Sequence, residues 1–93
     1  IMSLITSEFA ISARELTGKS RTQMVSLPRQ VAMYLIREHT ENSLEDVGRI
    51  FGGRDHTTVL YAVNQIKERL GRDRSFKDLI ESLNNRLLTR GFR

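Results

Sequence analysis

The sequence predicts a single compact all-α domain of about six helices with an embedded helix-turn-helix. Three observations support this fold class. Apolar residues recur at helical spacings, and no segment alternates polar and apolar residues as a half-buried strand does. Serines followed three positions later by an acid are typical of helix starts, and they precede several of the apolar runs. A length of 93 residues allows one hydrophobic core rather than two.

Local capping signals mark four helix starts. In a capping box the serine oxygen accepts the backbone N–H three residues on, and the acid accepts the N–H of the serine. Pro28 suits the first position of a helix, where its missing N–H costs no hydrogen bond. Three residue pairs have the capping-box spacing: Ser12 with Glu15, Ser43 with Asp46, and Ser75 with Asp78.

These signals, together with the apolar spacing, predict the helix bounds. Residues 18–26 form the one extended loop of this prediction, and they contain Lys19 and Arg21. Gly52 and Gly53 end the fourth helix, since glycine readily adopts the left-handed conformation that follows a helix. The predicted helices cover residues 2–9, 13–17, 28–39, 44–51, 56 to about 70 and 76 to about 90.

Composition excludes several classes of function. The sequence has no cysteine, which excludes a disulfide scaffold, a zinc finger and a cysteine nucleophile. Its two histidines, His39 and His56, are too few for a usual histidine-based metal site. No run approaches the roughly 18 consecutive apolar residues that a membrane span requires. Because the chain begins with Ile1, we expect it to be a piece of a longer protein.

The charge balance favours an anionic partner. Lys plus Arg number 15 against 11 for Asp plus Glu, so the net charge is +4. Only three of the cations are lysines, and the planar guanidinium of arginine matches phosphates and guanine edges better than an ammonium does. The alternative is a basic domain whose arginines pair with acids on its own surface. Charge alone does not decide between the two.

Residues 44–70 carry the pattern of a helix-turn-helix: a short amphipathic helix, a glycine turn and a longer amphipathic helix. In this motif the first turn of the second helix meets base edges in the major groove. That turn contains Asp55, His56, Thr57 and Thr58, which can exchange hydrogen bonds with bases or touch a thymine methyl. The alternative is that Asp55 only caps the helix and that the threonines merely fit its first turn.

The predicted third helix offers a second set of contacts. Arg29 and Gln30 would lie in its first turn, where backbone amides also favour anions. We expect a phosphate strand to be held between this turn, the loop of Lys19 and Arg21, and the start of the fifth helix. The alternative is a solvated helix face. The less apolar face of the helix carries Arg29, Gln30, Met33 and Arg37.

Enzymatic interpretations are weaker than binding ones. The run 55–57 contains an acid, a base and a hydroxyl, but adjacent residues of a helix do not face one another. The run 52–54 lacks the length and the Lys-Ser/Thr end of a nucleotide phosphate loop. We therefore expect no catalysis by this chain.

Three sequence blocks resemble a known family. Residues 51–59 read FGGRDHTTV, and residues 28–35 and 43–48 precede them in order as PRQVAMYL and SLEDVG. Together they resemble the C-terminal domain of the bacterial chromosomal replication initiator DnaA family. The likeness extends from about Phe9 to Leu70, and the last helix fits more loosely.

The resemblance implies a domain that binds double-stranded DNA at replication-origin sites similar to TTATCCACA, the DnaA boxes. The second motif helix would enter the major groove, Arg21 the minor groove, and Leu44 would contact DNA at the start of the first motif helix. Arg29 and Gln30 match contacts to the DNA backbone. The major-groove positions of the family correspond here to Arg54, Asp55, His56, Thr57 and Thr58.

The resemblance also implies partners and cofactors outside this chain. We expect no cofactor here, because the ATP-binding AAA+ module of such initiators would precede Ile1. Self-association is expected only through the missing parts, and the expected location is the bacterial cytoplasm.

Two alternative functions remain open. One alternative is a transcription regulator with the same fold. Another is a module that binds proteins or acidic phospholipids through residues 67–93, where eight cations face four acids.

Overall fold

The computed structural model describes residues 1–19 and 23–89. Within these two stretches the chain forms six helices and no strand, which confirms the predicted all-α class. The helices are α1 (Met2–Phe9), α2 (Ala13–Thr17), α3 (Gln23–His39), α4 (Leu44–Ile50), α5 (His56–Leu70) and α6 (Arg74–Thr89).

Helix α3 is the centre of the domain, because α1, α2, α4 and α5 all contact it, while α6 packs on α5. The apolar stripes predicted for α5 and α6 point into one core, which gains its stability from the removal of this apolar surface from water. The core residues that are fully buried and largest are Phe51, Leu4, Ile5, Leu16, Met33, Leu35, Ile66, Ile80 and Leu83.

Two of the three predicted capping boxes are confirmed. Ser12 caps α2 and Ser43 caps α4, and in both the acid three residues on accepts the N–H of the serine. The third box, Ser75 with Asp78, is wrong. Helix α6 begins earlier, at Arg74, and the Asp73 carboxylate accepts the Phe76 N–H at 3.0 Å.

The predicted start of α3 is also wrong. The helix begins at Gln23 rather than at Pro28, so Pro28 lies inside it. The loop predicted over residues 18–26 therefore ends before Gln23. Pro28 is the sixth residue of α3, where a proline removes a backbone hydrogen bond and its ring also crowds the carbonyl four residues earlier. Val25 and Pro28 are buried, and we attribute the extra turn to this burial, which the capping signals do not report.

Candidate nucleic-acid interface

The turn between α4 and α5 follows from two glycines and a buried aromatic ring. Phe51 is fully buried and ends α4, and Gly52 and Gly53 follow with φ angles of +85° and +81°. The N–H groups of Gly53 and Arg54 then donate to the Gly48 carbonyl at 3.0 and 2.9 Å. These bonds satisfy the end of α4 and direct the chain into α5.

Asp55 caps α5. Its carboxylate accepts the Thr57 N–H at 3.3 Å, and this backbone hydrogen bond is the main reason that the pKa of Asp55 lies below its ordinary value. The same oxygen lies 3.0 Å from His56 Nδ1. The cap proposed as the alternative role of Asp55 is therefore present, and it also restrains the imidazole of His56.

The first turn of α5 presents a polar, accessible surface. Asp55, His56, Thr57 and Thr58 are all exposed, whereas the following Val59 is fully buried. The inward face of α5 thus begins only after these four residues. The structure brings together the predicted base-contacting side chains on one exposed helix end.

A cleft of about 650 Å³, here called the α2–α5 cleft, lies between the end of α2, α3, the glycine turn and α5. It contains four predicted site residues: Arg29, Gln30, Arg54 and Thr58. The remaining residues along its wall are Thr17, Lys19, Ser26, Met33, Gly52, Tyr61 and Ala62.

Arg29 is placed differently from its prediction. Like Gln30, it lies beyond the first turn of α3 rather than in it, and only 6% of the Arg29 surface is exposed. Its Nε donates to the Leu16 carbonyl at 2.6 Å and its Nη2 to the Glu15 carbonyl at 2.9 Å. Burial and the nearby charge of Arg54 lower the pKa of Arg29 from its ordinary value. The Arg29 guanidinium is therefore hydrogen-bonded to the end of α2 in the wall of the α2–α5 cleft.

Arg54 also binds backbone carbonyls. Its Nη1 donates to the Phe51 carbonyl and its Nη2 to the Gly18 carbonyl. The side chain is half-buried, and burial lowers its pKa from the ordinary value. Arg54 therefore joins the glycine turn to the residue that ends α2.

A shallow depression on the other side of α5 brings Leu44 next to His56. Leu44 is half-buried against the core, and Arg37, Ser43 and Glu45 complete the depression. Arg37 is exposed, and its Nη1 donates to the Asn42 carbonyl at 2.8 Å. The starts of both motif helices thus share one surface.

Two predicted residues and one unpredicted residue differ from the rest of the site. Met33 was expected on the less apolar face of α3, but it is 1% exposed and belongs to the core. Tyr61 was not predicted, although 61% of its surface is exposed and it lies in the α2–α5 cleft. Its position three residues after Thr58, on the same helix face, could have indicated it. Arg21 lies outside the described residues.

Four described cations of the basic C-terminal region pair with acids of the domain. Arg69 also lies over the ring of Phe76, with 4.4 Å between the guanidinium carbon and the ring centroid. The alternative of internal pairing is thus correct for four arginines of this region. Their ion pairs are Arg69 with Asp73 (3.3 Å), Arg72 with Glu68 (3.6 Å), Arg74 with Asp78 (3.9 Å) and Arg86 with Glu8 (2.6 Å).

Two negative findings apply to the part of the chain that the structure describes. No helix there is both long and apolar enough to cross a membrane. No group of three or more histidine, cysteine, aspartate or glutamate side chains is arranged to hold a metal ion in the same residues.

Comparison with known proteins assigns the family. The model of the family described as bacterial dnaA protein helix-turn-helix matches residues 1–66, which include the glycine turn and most of α5. The chain belongs to this family. All the predicted site residues of this dnaA helix-turn-helix lie within the matched range, whereas α6 lies beyond it.

Curated relatives of this dnaA helix-turn-helix are named chromosomal replication initiator protein DnaA. The protein of Thermus thermophilus is 47% identical over 83 residues, which cover 89% of this chain and 19% of the relative. The protein of Streptococcus equi subsp. zooepidemicus is 47% identical over 79 residues, or 85% of this chain and 18% of the relative. The chain spans about a fifth of the length of these relatives.

Proposed function

We propose that this chain is the domain through which a bacterial replication initiator binds double-stranded DNA at origin sites similar to TTATCCACA. The observation that carries the proposal is the exposed polar first turn of α5 between two surface depressions. An exposed helix end with hydrogen-bonding side chains suits the major groove. Membership of the bacterial dnaA helix-turn-helix family supports the same function.

The side chains divide into two roles. We assign base contacts to Asp55, His56, Thr57 and Thr58, which are exposed, and a DNA contact to Leu44 beside His56. In the α2–α5 cleft, Gln30 and Lys19 are the accessible candidates for phosphate contacts.

Arg29 and Arg54 remain part of the proposed interface because of their charge rather than through direct contacts with DNA. Each already donates to backbone carbonyls, but its charge lies in the wall of the α2–α5 cleft. A guanidinium raises the local positive potential and attracts a phosphate strand without touching it.

Arg21 is proposed to enter the minor groove, as the family resemblance implies. A guanidinium there senses groove width and the potential of A·T-rich sequence. Arg21→Ala should therefore weaken binding to the box more than binding to a scrambled duplex. Equal losses on both duplexes would reduce Arg21 to a phosphate contact.

A mobility-shift titration tests the function. The domain should bind a TTATCCACA duplex more tightly than a scrambled duplex of the same composition. With about five to eight phosphates neutralised, log K should fall against log salt with a slope of about −5 to −7. Lys19→Ala should make the slope less steep by about one, and Lys77→Ala, which removes a charge from α6, should change it less. Equal affinity for both duplexes would refute sequence-specific binding.

A helix-turn-helix transcription regulator would use the same surface. Within the described residues no feature favours that function over replication initiation. Competition between an origin array and a promoter site for the domain would show which DNA it prefers.

Two further proposals concern other partners: the first rests on the family resemblance, and the second on the excess of cations in residues 67–93. We propose that ATP binding and self-association belong to segments outside this chain, so isothermal titration of the domain with ATP should show no heat of binding. We propose acidic phospholipids only as a weaker partner, because four arginines of residues 67–93 already pair with acids. Flotation with anionic vesicles tests this partner.

A further inference from the structure

The end of α2 is held by side chains and backbone from two other elements. Four consecutive carbonyls, those of residues 15–18, each meet a group from α3 or from the glycine turn. Arg29 of α3 donates to the first two, at 2.9 and 2.6 Å. Gly52 packs so closely that a Cβ there would lie 2.7 Å from the Thr17 carbonyl oxygen. Arg54 donates to the Gly18 carbonyl.

We propose that Arg54 is a positioning residue, which fixes the end of α2, and with it Lys19, relative to the first turn of α5. This inference rests on the proposed DNA-binding function and deepens it. It replaces the family-based expectation that Arg54 itself contacts DNA. The phosphate contact in this part of the cleft then belongs to Lys19.

The Arg54 guanidinium joins two carbonyls from different parts of the chain. Phe51 and Gly18 are far apart in sequence, and one side chain donates to the carbonyls of both through its two Nη atoms. A planar fork with several fixed donors can join two carbonyls in this way, whereas the ammonium of lysine acts as a single point of charge on a flexible stem. The link is therefore specific to arginine.

The path of the chain connects this link to Lys19. Lys19 follows Gly18 directly, is exposed, and lies in the α2–α5 cleft together with Thr58. Fixing the Gly18 carbonyl to the glycine turn limits how far Lys19 can move from α5. Pre-positioning of a contact residue reduces the conformational entropy that is lost when DNA binds. Removing the link should thus weaken binding even where the charge is kept.

The test is a double-mutant cycle on box DNA with Arg54→Lys and Lys19→Ala. If Arg54 positions Lys19, Arg54→Lys should lose several-fold in box affinity although it keeps the charge. Lys19→Ala should then cost several-fold in the parent protein and much less in the Arg54→Lys background, a coupling of about threefold or more. Arg72→Lys, an exposed Arg→Lys change in the turn that follows α5, is the matched control and should bind as the parent does.

Three outcomes would overturn the proposal. Independent losses from Lys19→Ala and Arg54→Lys would mean that the two residues contact DNA separately. Full affinity of Arg54→Lys would show that charge alone matters. An Arg54→Lys protein that circular dichroism shows to be unfolded at low temperature would make Arg54 a general stabilising residue rather than a positioning one.

A DNA-free measurement separates this inference from the proposed function. Amide hydrogen exchange of residues 16–19 should be faster in Arg54→Lys than in the parent, while exchange in α6 stays unchanged. Unchanged exchange at 16–19 refutes the link whatever DNA the domain binds. A parent protein that does not prefer box DNA, with faster exchange in the variant, refutes the function but leaves the link intact.

Discussion

Gly48 and Arg54 touch through their backbones at the point where the helix-turn-helix reverses. The Gly48 carbonyl accepts the Arg54 N–H at 2.9 Å, and a Cβ on residue 48 would lie only 2.1 Å from the Arg54 carbonyl oxygen. Gly48→Ala must therefore push α4 away from the start of α5. We expect a loss of about 2–3 kcal/mol in unfolding free energy, seen as a fall in Tm of roughly 10–20 °C.

Gly71→Ala is the control for this change. Gly71 has a helical φ of −80°, and a Cβ there would meet its nearest neighbour at 3.5 Å, an ordinary contact. An alanine that fits the native conformation stabilises a protein by roughly 0.4–1 kcal/mol through the unfolded state. Gly71→Ala should therefore melt at or above the parent Tm. A Gly48→Ala protein with the same Tm as Gly71→Ala would contradict the close contact between Gly48 and Arg54.

The elements that the sequence predicts correctly are those with short-range signals. The boxes at Ser12 and Ser43, and the two glycines before α5, involve residues at most a few positions apart. Their hydrogen bonds form within one turn of chain, so the pattern itself contains the physical cause. The apolar stripe of α5 is equally local, since its spacing alone defines the buried face.

The errors arise where two local signals compete or where burial decides. Asp73 and Ser75 are both good helix caps, and Asp73 is the one used. With this choice the Phe76 ring lies buried beneath Arg69, and the sequence spacing contains no trace of that contact. At Pro28 a helix-start signal is overridden by the buried helical turn before it.

The roles of Arg29 and Arg54 could not be predicted from the sequence. An arginine that binds a carbonyl and one that binds a phosphate have the same residue type in the same pattern. Apart from Phe51, which is three residues before Arg54, the carbonyl partners are 13 to 36 residues away in sequence, so only the packing of α2 against α3 and the turn reveals them. The exposed first turn of α5 needed no such information, because its residues are adjacent.

Ala10 is a site where a substitution should stabilise the domain. It ends α1 in the left-handed conformation, with φ 54° and ψ 43°, and its N–H donates to the Thr6 carbonyl. A residue with a Cβ in this conformation costs roughly 1–2 kcal/mol of folding free energy. Glycine avoids this cost, but part of the gain is lost because glycine has more conformational freedom in the unfolded chain. Ala10→Gly should raise Tm by a few degrees in thermal melting. A lower Tm would show that the Cβ of Ala10 contributes packing instead.

Stability should fall at acid pH because of three helix-start carboxylates. Backbone N–H donors are the first cause that lowers the pKa of Asp46, of Asp55 and of Asp73 from the ordinary 3.8. A carboxyl whose pKa is lower in the folded state stabilises the fold above its unfolded pKa, and that contribution is lost as pH falls through the folded value. Tm should thus decrease below about pH 4.

The acid prediction has its own control. Asparagine caps a helix about as well as aspartate but does not titrate in this range. The Asp73→Asn variant should lose less Tm than the parent between about pH 5 and about pH 2. Identical pH profiles for parent and variant would show that Asp73 is not part of the acid-sensitive set.

Asp55 combines two roles that one pair of substitutions separates. As the cap of α5 it accepts the Thr57 N–H, and as an exposed carboxylate it can accept from a cytosine amine while repelling phosphates. Asp55→Asn keeps the cap and removes the charge. It should melt near the parent Tm, bind scrambled DNA more tightly, and discriminate less between box and scrambled duplexes, because an acid in a DNA interface mainly penalises wrong bases.

Asp55→Ala removes both roles, so it should lose discrimination and also about 5 °C of Tm through the missing cap. Thermal melting and mobility-shift titration of the two variants in parallel distinguish the cases. If Asp55→Asn keeps the full ratio of box to scrambled affinity, the carboxylate serves only as a cap. Base reading by the first turn of α5 would then depend on His56, Thr57 and Thr58, which are exposed beside it.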